Sequence, residues 1–178
     1  MKRLLASARL SLEALDASEI DELLGGASTM HGAAIGDQWP VAEPDQVAML
    51  QFFRDRLLEK PEWVVWRFRL IIRSADRTVV GHVGFHGPPE EGCLELGYTV
   101  FPRYRRQGIA SESVRALMDA AFAEHGVGRF RLSIGESNAA SLDLAERLGF
   151  MRIGEQIDEV DGLELIFERT WPDTFRPR

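Results

Sequence analysis

The sequence predicts an α/β fold with a mixed, mostly antiparallel β-sheet of about seven strands and four flanking helices. Apolar and polar residues alternate in several short segments, which is the period of a strand with one buried face. Other segments space their apolar residues three and four positions apart, as amphipathic helices do. No repeat, low-complexity tract or linker interrupts the pattern, so we expect residues 1–178 to form one domain.

The N-terminal part predicts one strand followed by two helices. Residues 8–15 alternate as a strand, and Asp16 with Glu19 then resembles a capping box that starts a helix. A second helix begins near Pro44 and ends at Lys60-Pro61. The connector between the helices contains Trp39-Pro40. A surface connector does not need a tryptophan, so Trp39 either fills the core or lines a pocket.

From Trp63 onward the period changes to two, which predicts a hairpin with a polar turn at residues 74–77 and a second strand over residues 78–86. Alternation puts two sets of side chains on opposite faces of the first strand: Trp66, Phe68, Leu70 and Ile72 against Arg67, Arg69 and Arg73.

The central strand is predicted at residues 94–101. Alternation again separates two sets of side chains: Glu95, Gly97, Thr99 and Phe101 against Leu96, Tyr98 and Val100. A helix, a strand around Leu132 and a short helix capped by Asn138 follow. Two last strands, residues 152–157 and 163–169, are joined through Asp161-Gly162, a strong hairpin signal.

Composition narrows the classes of function. A net charge of -7 argues against nucleic acid as a partner, and no apolar run reaches the length needed to span a membrane. The lone cysteine, Cys93, excludes an internal disulfide and favours a reduced, cytoplasmic setting. His82 and His86 share a strand face but lack a third ligand at sensible spacing, so no metal is expected.

An arginine-rich loop follows the central strand. Three of the four residues 103–106 are arginine, and no acid occurs between Glu95 and Glu112. Gly108 lets a ligand approach the backbone at the start of the next helix. The donors left unpaired there would be the amides of Ile109, Ala110 and Ser111. This combination predicts a phosphate site, the alternative being an exposed basic turn before an ordinary helix. The GxxxxGK and GxGxxG motifs of nucleotide sites are absent.

Two motifs resemble those of the GCN5-related N-acetyltransferases. Val100-x-Pro102 followed by Arg105-x-x-Gly108-x-Ala110 resembles the family's acyl-CoA pyrophosphate loop. The segment from Asn138 to Phe150 is similar to the helix that lies beside the pantetheine arm. The order of elements agrees over the whole chain. Trp39-Pro40 and Glu95-Leu96-Gly97-Tyr98 further resemble the branch that contains ribosomal-protein N-terminal acetyltransferases and several small-molecule amine acetyltransferases.

The resemblance implies transfer of an acetyl group from acetyl-CoA to a primary amine, either a protein N-terminus or a small molecule, by direct attack on the thioester. It implies that backbone groups of Val100 and Phe101 pair with the pantetheine, and that Asn138 contacts the coenzyme arm. The remaining coenzyme contacts fall on Arg105, Arg106, Gln107, Gly108, Ile109, Ala110 and Ser111. An acyl-CoA-binding regulator without turnover and a transferase for a larger acyl group, such as succinyl, are the alternatives. A homodimer is compatible with the sequence.

The catalytic groups are less directly indicated. An alkylammonium has a pKa of about 10, so only about one amine molecule in a thousand is deprotonated and nucleophilic at pH 7. A base is therefore needed to remove the proton. Glu95 is the strand carboxylate nearest the predicted thioester, and it would act as base or orient the substrate. The tyrosine that many relatives use as general acid falls at Ala145. Ser141 is the nearest replacement hydroxyl, and Tyr98 is a further candidate for the acid or for acceptor binding.

Overall fold

Ten strands and four α-helices form the fold in the residues that the computed structural model describes, namely 1, 3–36, 39, 44–158 and 162–172. The strands are β1 (Leu4–Ala6), β2 (Leu10–Ala14), β3 (Thr29–Met30), β4 (Ala33–Ala34), β5 (Arg69–Arg73), β6 (Thr78–Phe85), β7 (Cys93–Val100), β8 (Arg129–Gly135), β9 (Met151–Asp158) and β10 (Gly162–Thr170). The helices are α1 (Ala17–Leu24), α2 (Pro44–Glu59), α3 (Ile109–His125) and α4 (Ala139–Arg147).

The sheet runs in the order β1-β2-β5-β6-β7-β8-β10-β9, with β4 bridged to β6 and β3 paired to β4. Its pairs are antiparallel except β7–β8 and the single β4–β6 bridge, which confirms the predicted mixed, mostly antiparallel sheet with four helices. The strand number is higher than predicted. The three strands that were not foreseen, β1, β3 and β4, have two or three residues each, too few for alternation to be visible.

Local signals placed most helix ends correctly. Asp16 accepts a hydrogen bond from the N–H of Glu19, whose carboxylate accepts from the N–H of Asp16 at 2.8 Å, so the capping box is present. Asn138 caps α4 by accepting from the N–H of Ser141. Pro44 is the first residue of α2. Asp161, in the predicted final turn, lies outside the described residues.

The first strand of the predicted hairpin starts later than expected. Residues Pro61–Val65 form a 3₁₀ turn with proline at its start, a position that suits proline's fixed φ. Trp66 consequently packs on the opposite side of the sheet from Phe68, which corrects the alternation predicted for it. Arg69 is fully buried and donates at 2.7 Å to the backbone oxygens of Arg3 and Val65. Burial lowers its pKa to about 10.

The sheet separates two hydrophobic cores. The first packs against α3 and α4 and the second against α1 and α2. The alternation predicted along the central strand is confirmed, because Leu94 and Leu96 of β7 lie in the first core while Phe101, the residue after β7, packs against the second. Trp39 is 7 % exposed in the second core, with its ring centroid 5.5 Å from that of Phe101, so it fills the core. In the described part of the chain, no helix has the length and apolarity to cross a membrane.

Candidate active site

Strands β7 and β8 stop pairing near their middles. Their parallel ladder has three residue pairs and ends where Glu95 faces Arg131, although β7 continues to Val100 and β8 to Gly135. The two strands therefore diverge, and the space between their C-terminal ends is here called the β7–β8 gap. Backbone groups that face this gap have no ladder partner on the neighbouring strand, so a ligand can pair with them.

The hydrogen bonds between β7 and β6 identify which β7 backbone groups face the gap. The N–H of Phe101 donates to the oxygen of Val80 at 3.0 Å, and the N–H of His86 donates to the oxygen of Glu95 at 2.9 Å. Alternate residues of an edge point their backbone groups in opposite directions, so Tyr98 and Val100 face the gap. The Phe101 N–H is committed to the sheet, which is inconsistent with its predicted contact to the pantetheine.

The arginine loop, residues 103–108, curls into the start of α3. Arg106 and Gly108 both have positive φ angles, +61° and +78°, on either side of Gln107. Alternating handedness of this kind turns successive backbone amides toward a common point and is typical of anion-binding nests. Among the described residues no side chain caps α3, so its first amides have no side-chain partner and are able to donate to a ligand. Arg105 is exposed but its Nε donates to the Val100 oxygen at 3.0 Å, which ties the loop to the end of β7.

Arg9 is a cation at this loop that the sequence did not reveal. Its Nη1 donates to the Gln107 oxygen at 3.1 Å, and its Nε donates to the Glu112 carboxylate at 2.7 Å. A side chain at Gly108 would place its Cβ 3.3 Å from Nη2 of Arg9. The contact joins residues 98 positions apart, so no local pattern could have indicated it.

Tyr98 and Ser141 lie together where β7 meets α4. The Tyr98 hydroxyl is buried and has no hydrogen-bond partner among the described residues. Burial raises the pKa of Tyr98, while the nearby Ser141 and Arg147 side chains oppose the rise. The Ser141 side chain therefore lies within reach of the Tyr98 hydroxyl as a hydrogen-bonding neighbour, although the pair does not meet full hydrogen-bond geometry. Ala145, the position where a tyrosine was expected from the resemblance, is fully buried in the first core.

Glu95 faces a cavity of about 470 Å³ on the opposite side of the sheet from Tyr98, here called the Glu95 cavity. The Glu95 side chain is 29 % exposed, and Nδ1 of His86 lies 3.5 Å from its Oε1. The Ser133 hydroxyl donates to the same oxygen at 2.6 Å. The cavity walls include Phe52, Trp63, Arg67, His86 and Cys93. A carboxylate that is both oriented and reachable is suited to accept a proton from an amine.

Not every predicted site residue reaches this cavity. Trp39 packs in the second core, and the Tyr98 side chain points toward α4, so neither lines the Glu95 cavity. Ser133 and Arg67 were missed. Ser133 belongs to β8, and Arg67 lies between the 3₁₀ turn and β5; the sequence does not show which of its polar residues meet partners from other elements. Within the described ranges, no group of three or more His, Cys, Asp or Glu residues could hold a metal.

Comparisons with known proteins identify the family. The acetyltransferase (GNAT) domain family matches residues 9–151. The uncharacterized N-acetyltransferase YjdG of Bacillus subtilis (strain 168) is 28 % identical over 156 residues, which cover 83 % of this chain and 89 % of YjdG.

Two solved structures share the fold. RimL, a ribosomal-protein alpha-N-acetyltransferase in complex with coenzyme A, has a TM-score of 0.67 at 20 % identity, covering 94 % of this chain and 97 % of RimL. A GCN5-related N-acetyltransferase from Brucella melitensis has a TM-score of 0.66 at 23 % identity, and the match covers 97 % of this chain and 82 % of the Brucella protein. With the family match spanning most of the sequence, the chain belongs to the GNAT family of N-acetyltransferases.

Proposed function

We propose that the protein transfers an acetyl group from acetyl-CoA to a primary amine, on a protein N-terminus or a small molecule, by direct attack on the thioester. The observation that carries the proposal is that β7 diverges from β8 at its C-terminal end and then leads, through the arginine loop, to the N-terminus of α3, which has no side-chain cap among the described residues. The gap is suited to a pantetheine arm and the helix start to a pyrophosphate. The family uses acetyl-CoA, and RimL was solved with coenzyme A.

Residues of the arginine loop fit the coenzyme phosphates. Arg105 and Arg106 are exposed there, Arg9 lies against the loop backbone, and the first amides of α3 have no side-chain cap. These groups would neutralise and orient the pyrophosphate. The Val100 N–H, which faces the gap, would donate to the thioester carbonyl and stabilise the oxyanion that develops there. Asn138 would contact the coenzyme arm.

Glu95 would take the proton that makes the amine nucleophilic, directly or through a water molecule. The neutral amine then attacks the carbonyl carbon, a C–N bond forms, and the C–S bond breaks. The nitrogen releases its extra proton to water, and the CoA thiolate leaves and takes up a proton from Tyr98, Ser141 or water; a side-chain donor is reprotonated from solvent. A thiolate is a tolerable leaving group near neutral pH because free thiols have a pKa of about 8.5, so Ala145 in place of a tyrosine is compatible with turnover.

CoA release with a panel of primary amines tests the proposal, with mass spectrometry of the products to identify the acyl group. We expect thiol release that depends on the amine and yields an acetylated product in equal amount. Acetyl-CoA binding without transfer to any amine would reject the proposal and favour a regulatory binding domain. Transfer only from a larger acyl-CoA, such as succinyl-CoA, would correct the acyl group.

A further inference from the structure

Arg67 contributes a buried positive charge to the Glu95 cavity. Its side chain is among those that line the cavity, yet the residue is only 3 % exposed. Its Nε and Nη1 atoms have no hydrogen-bond partner among the residues described, and no acidic side chain within those ranges forms an ion pair with it. Glu95 accepts a hydrogen bond from Ser133, whereas the described part of the chain supplies no polar partner to these two guanidinium atoms.

Aromatic rings hold this guanidinium in place. Its Cζ lies 5.5 Å from the ring centroid of Phe52, 5.6 Å from that of Phe53 and 5.0 Å from that of Trp63. Cation–π contacts of this kind offset part of the cost of burial, but they do not satisfy the N–H donors. The rings also restrict the side chain before any ligand arrives, so little entropy is lost on binding.

The other three arginines that line the cavity differ from Arg67. Arg56 pairs with Glu59 at 3.2 Å, and Arg129 and Arg131 both pair with Glu168, at 3.7 and 2.6 Å. Burial lowers the pKa of Arg67, and the nearby Arg56 lowers it further. A guanidinium nevertheless stays charged at neutral pH. A buried charge of this kind is costly unless an anion completes it, and a planar guanidinium matches carboxylate and phosphate oxygens in pairs.

We propose that the acceptor is a small primary amine that also carries an anionic oxygen-acid group, which Arg67 binds while the amine faces Glu95. This inference rests on the proposed acetyl transfer and narrows its substrate class. An amino acid has the required pair of groups, one cationic and one anionic. A polyamine does not, because it would place a second cation against Arg67. A volume of about 470 Å³ is within the range of small-molecule sites.

Matched pairs of amines test the proposal through the ratio of their kcat/KM values. Each pair differs in one acidic group: an amino acid against its carboxamide, and an aminoalkyl phosphonate against its neutral diester. We expect wild type to prefer the anionic member of at least one pair by about 10²-fold, because the neutral analogue leaves Arg67 unpaired. The pair with the larger ratio identifies the acid. Equal or reversed preference in both pairs would overturn the inference while leaving the transferase intact.

Variants assign that preference to Arg67. Arg67→Gln should reduce the ratio to near one, mainly by raising KM for the anionic amine, and Arg67→Lys should retain part of it because the charge remains. Arg54→Gln removes a charge from α2, the helix that supplies Phe52 and Phe53. Arg54 pairs with Asp21 and Asp55 outside the cavity, so this variant should leave the ratio unchanged. A preference that survives Arg67→Gln would contradict the assignment.

A binding measurement separates this inference from the failure of catalysis. Calorimetry with CoA present would compare an N-acetylated amino acid with its carboxamide on wild type. We expect the anionic form to bind at least about tenfold more tightly. Absence of turnover together with this preference would reject the transferase but support anion binding. Turnover without any anionic preference in either assay would support the transferase and reject anion binding by Arg67.

Discussion

Ser133 on β8 donates a 2.6 Å hydrogen bond to Oε1 of Glu95 on β7, across the point where the two strands separate. Glu95 belongs to the last residue pair of the ladder, and Ser133 lies two residues beyond its partner Arg131. The bond therefore fixes the carboxylate at the mouth of the β7–β8 gap. Under the proposed mechanism, a base held at that position would meet an amine that enters from the Glu95 cavity, while the thioester would lie in the gap.

Glu95→Gln should lower kcat by about 10²-fold or more at pH 7 and leave acetyl-CoA affinity nearly intact, because the amide cannot accept the proton. The deficit should shrink as the pH passes the pKa of the amine, which then deprotonates unaided. Steady-state kinetics from pH 7 to 10 measures both effects. Glu146→Gln removes an exposed carboxylate of α4 and serves as control. An unchanged kcat at pH 7 would show that Glu95 is not the base.

Ser133→Ala should reduce kcat by about tenfold or less, since it removes one hydrogen bond that orients a charged group. The loss should disappear in the Glu95→Gln background if the serine acts through Glu95. A double-mutant cycle on kcat/KM measures this coupling. Additive effects of the two substitutions would instead assign Ser133 an independent role.

Gly108→Val should abolish most of the thermal stabilisation by acetyl-CoA. The glycine has φ +78°, and an added Cβ would lie 3.3 Å from Arg9, so a side chain there distorts the loop. Acetyl-CoA at about 100 times its Kd should raise the free energy of unfolding of the wild type by roughly 2.7 kcal/mol. Gly126→Val is a matched control with φ +68° and open space around its Cβ, so it strains the backbone away from the loop. Equal ligand shifts in both variants would reject the phosphate site.

Local signals explain why much of the fold was predictable. The Asp16–Glu19 capping box, the helix start at Gly108 and the alternation along β7 depend on neighbours a few residues away, and all three are confirmed. Arg9 and Arg67 were not predictable as site residues. Arg9 reaches a loop 98 positions later, and Arg67 is enclosed by rings from α2 and the following turn. The first contact joins elements that are distant in sequence, and the second depends on how α2 and its 3₁₀ turn fold back around the side chain.

The substitution Tyr98→Phe shows whether the Tyr98 hydroxyl has a catalytic or a structural role. Because it is buried without a partner among the residues described, Tyr98→Phe should leave the free energy of unfolding unchanged or raise it by about 1 kcal/mol. A fall in kcat without loss of stability would then identify Tyr98 as the acid. Chemical denaturation and kinetics on the same preparation measure the two quantities. Destabilisation by more than about 1 kcal/mol would show that the hydroxyl has a structural partner.

Ser141→Ala should slow transfer by about tenfold or less if water can protonate the thiolate. Ala145→Tyr, which restores the family's usual residue, should leave the rate nearly unchanged or reduce it, because Ala145 is fully buried and overpacking costs about 1–3 kcal/mol. The same CoA-release assay measures both variants. If wild type binds acetyl-CoA but is inert and Ala145→Tyr initiates release, the native protein is a binding domain.

Stability should fall on acidification through His82. Burial between Phe68 and Trp39 lowers the pKa of His82 from 6.5 to about 4, so the folded protein resists a proton that the unfolded chain accepts. The free energy of unfolding is therefore unaffected by His82 above about pH 6.5 and decreases as the pH falls toward 4. The decrease amounts to about 2 kcal/mol between pH 7.5 and 5. Denaturant unfolding across that range should show a shallower decline for His82→Gln. An identical pH slope would contradict the assignment.

The most direct test of the account is a crystal structure of the acetyl-CoA complex. We predict that the thioester carbonyl accepts a hydrogen bond from the Val100 N–H inside the β7–β8 gap, with the pyrophosphate against Gly108 and the first amides of α3. The Glu95 carboxylate should lie on the acceptor side of the thioester. A coenzyme bound elsewhere, or a thioester that does not reach the gap, would contradict the central claim that the diverging strands form the transfer site.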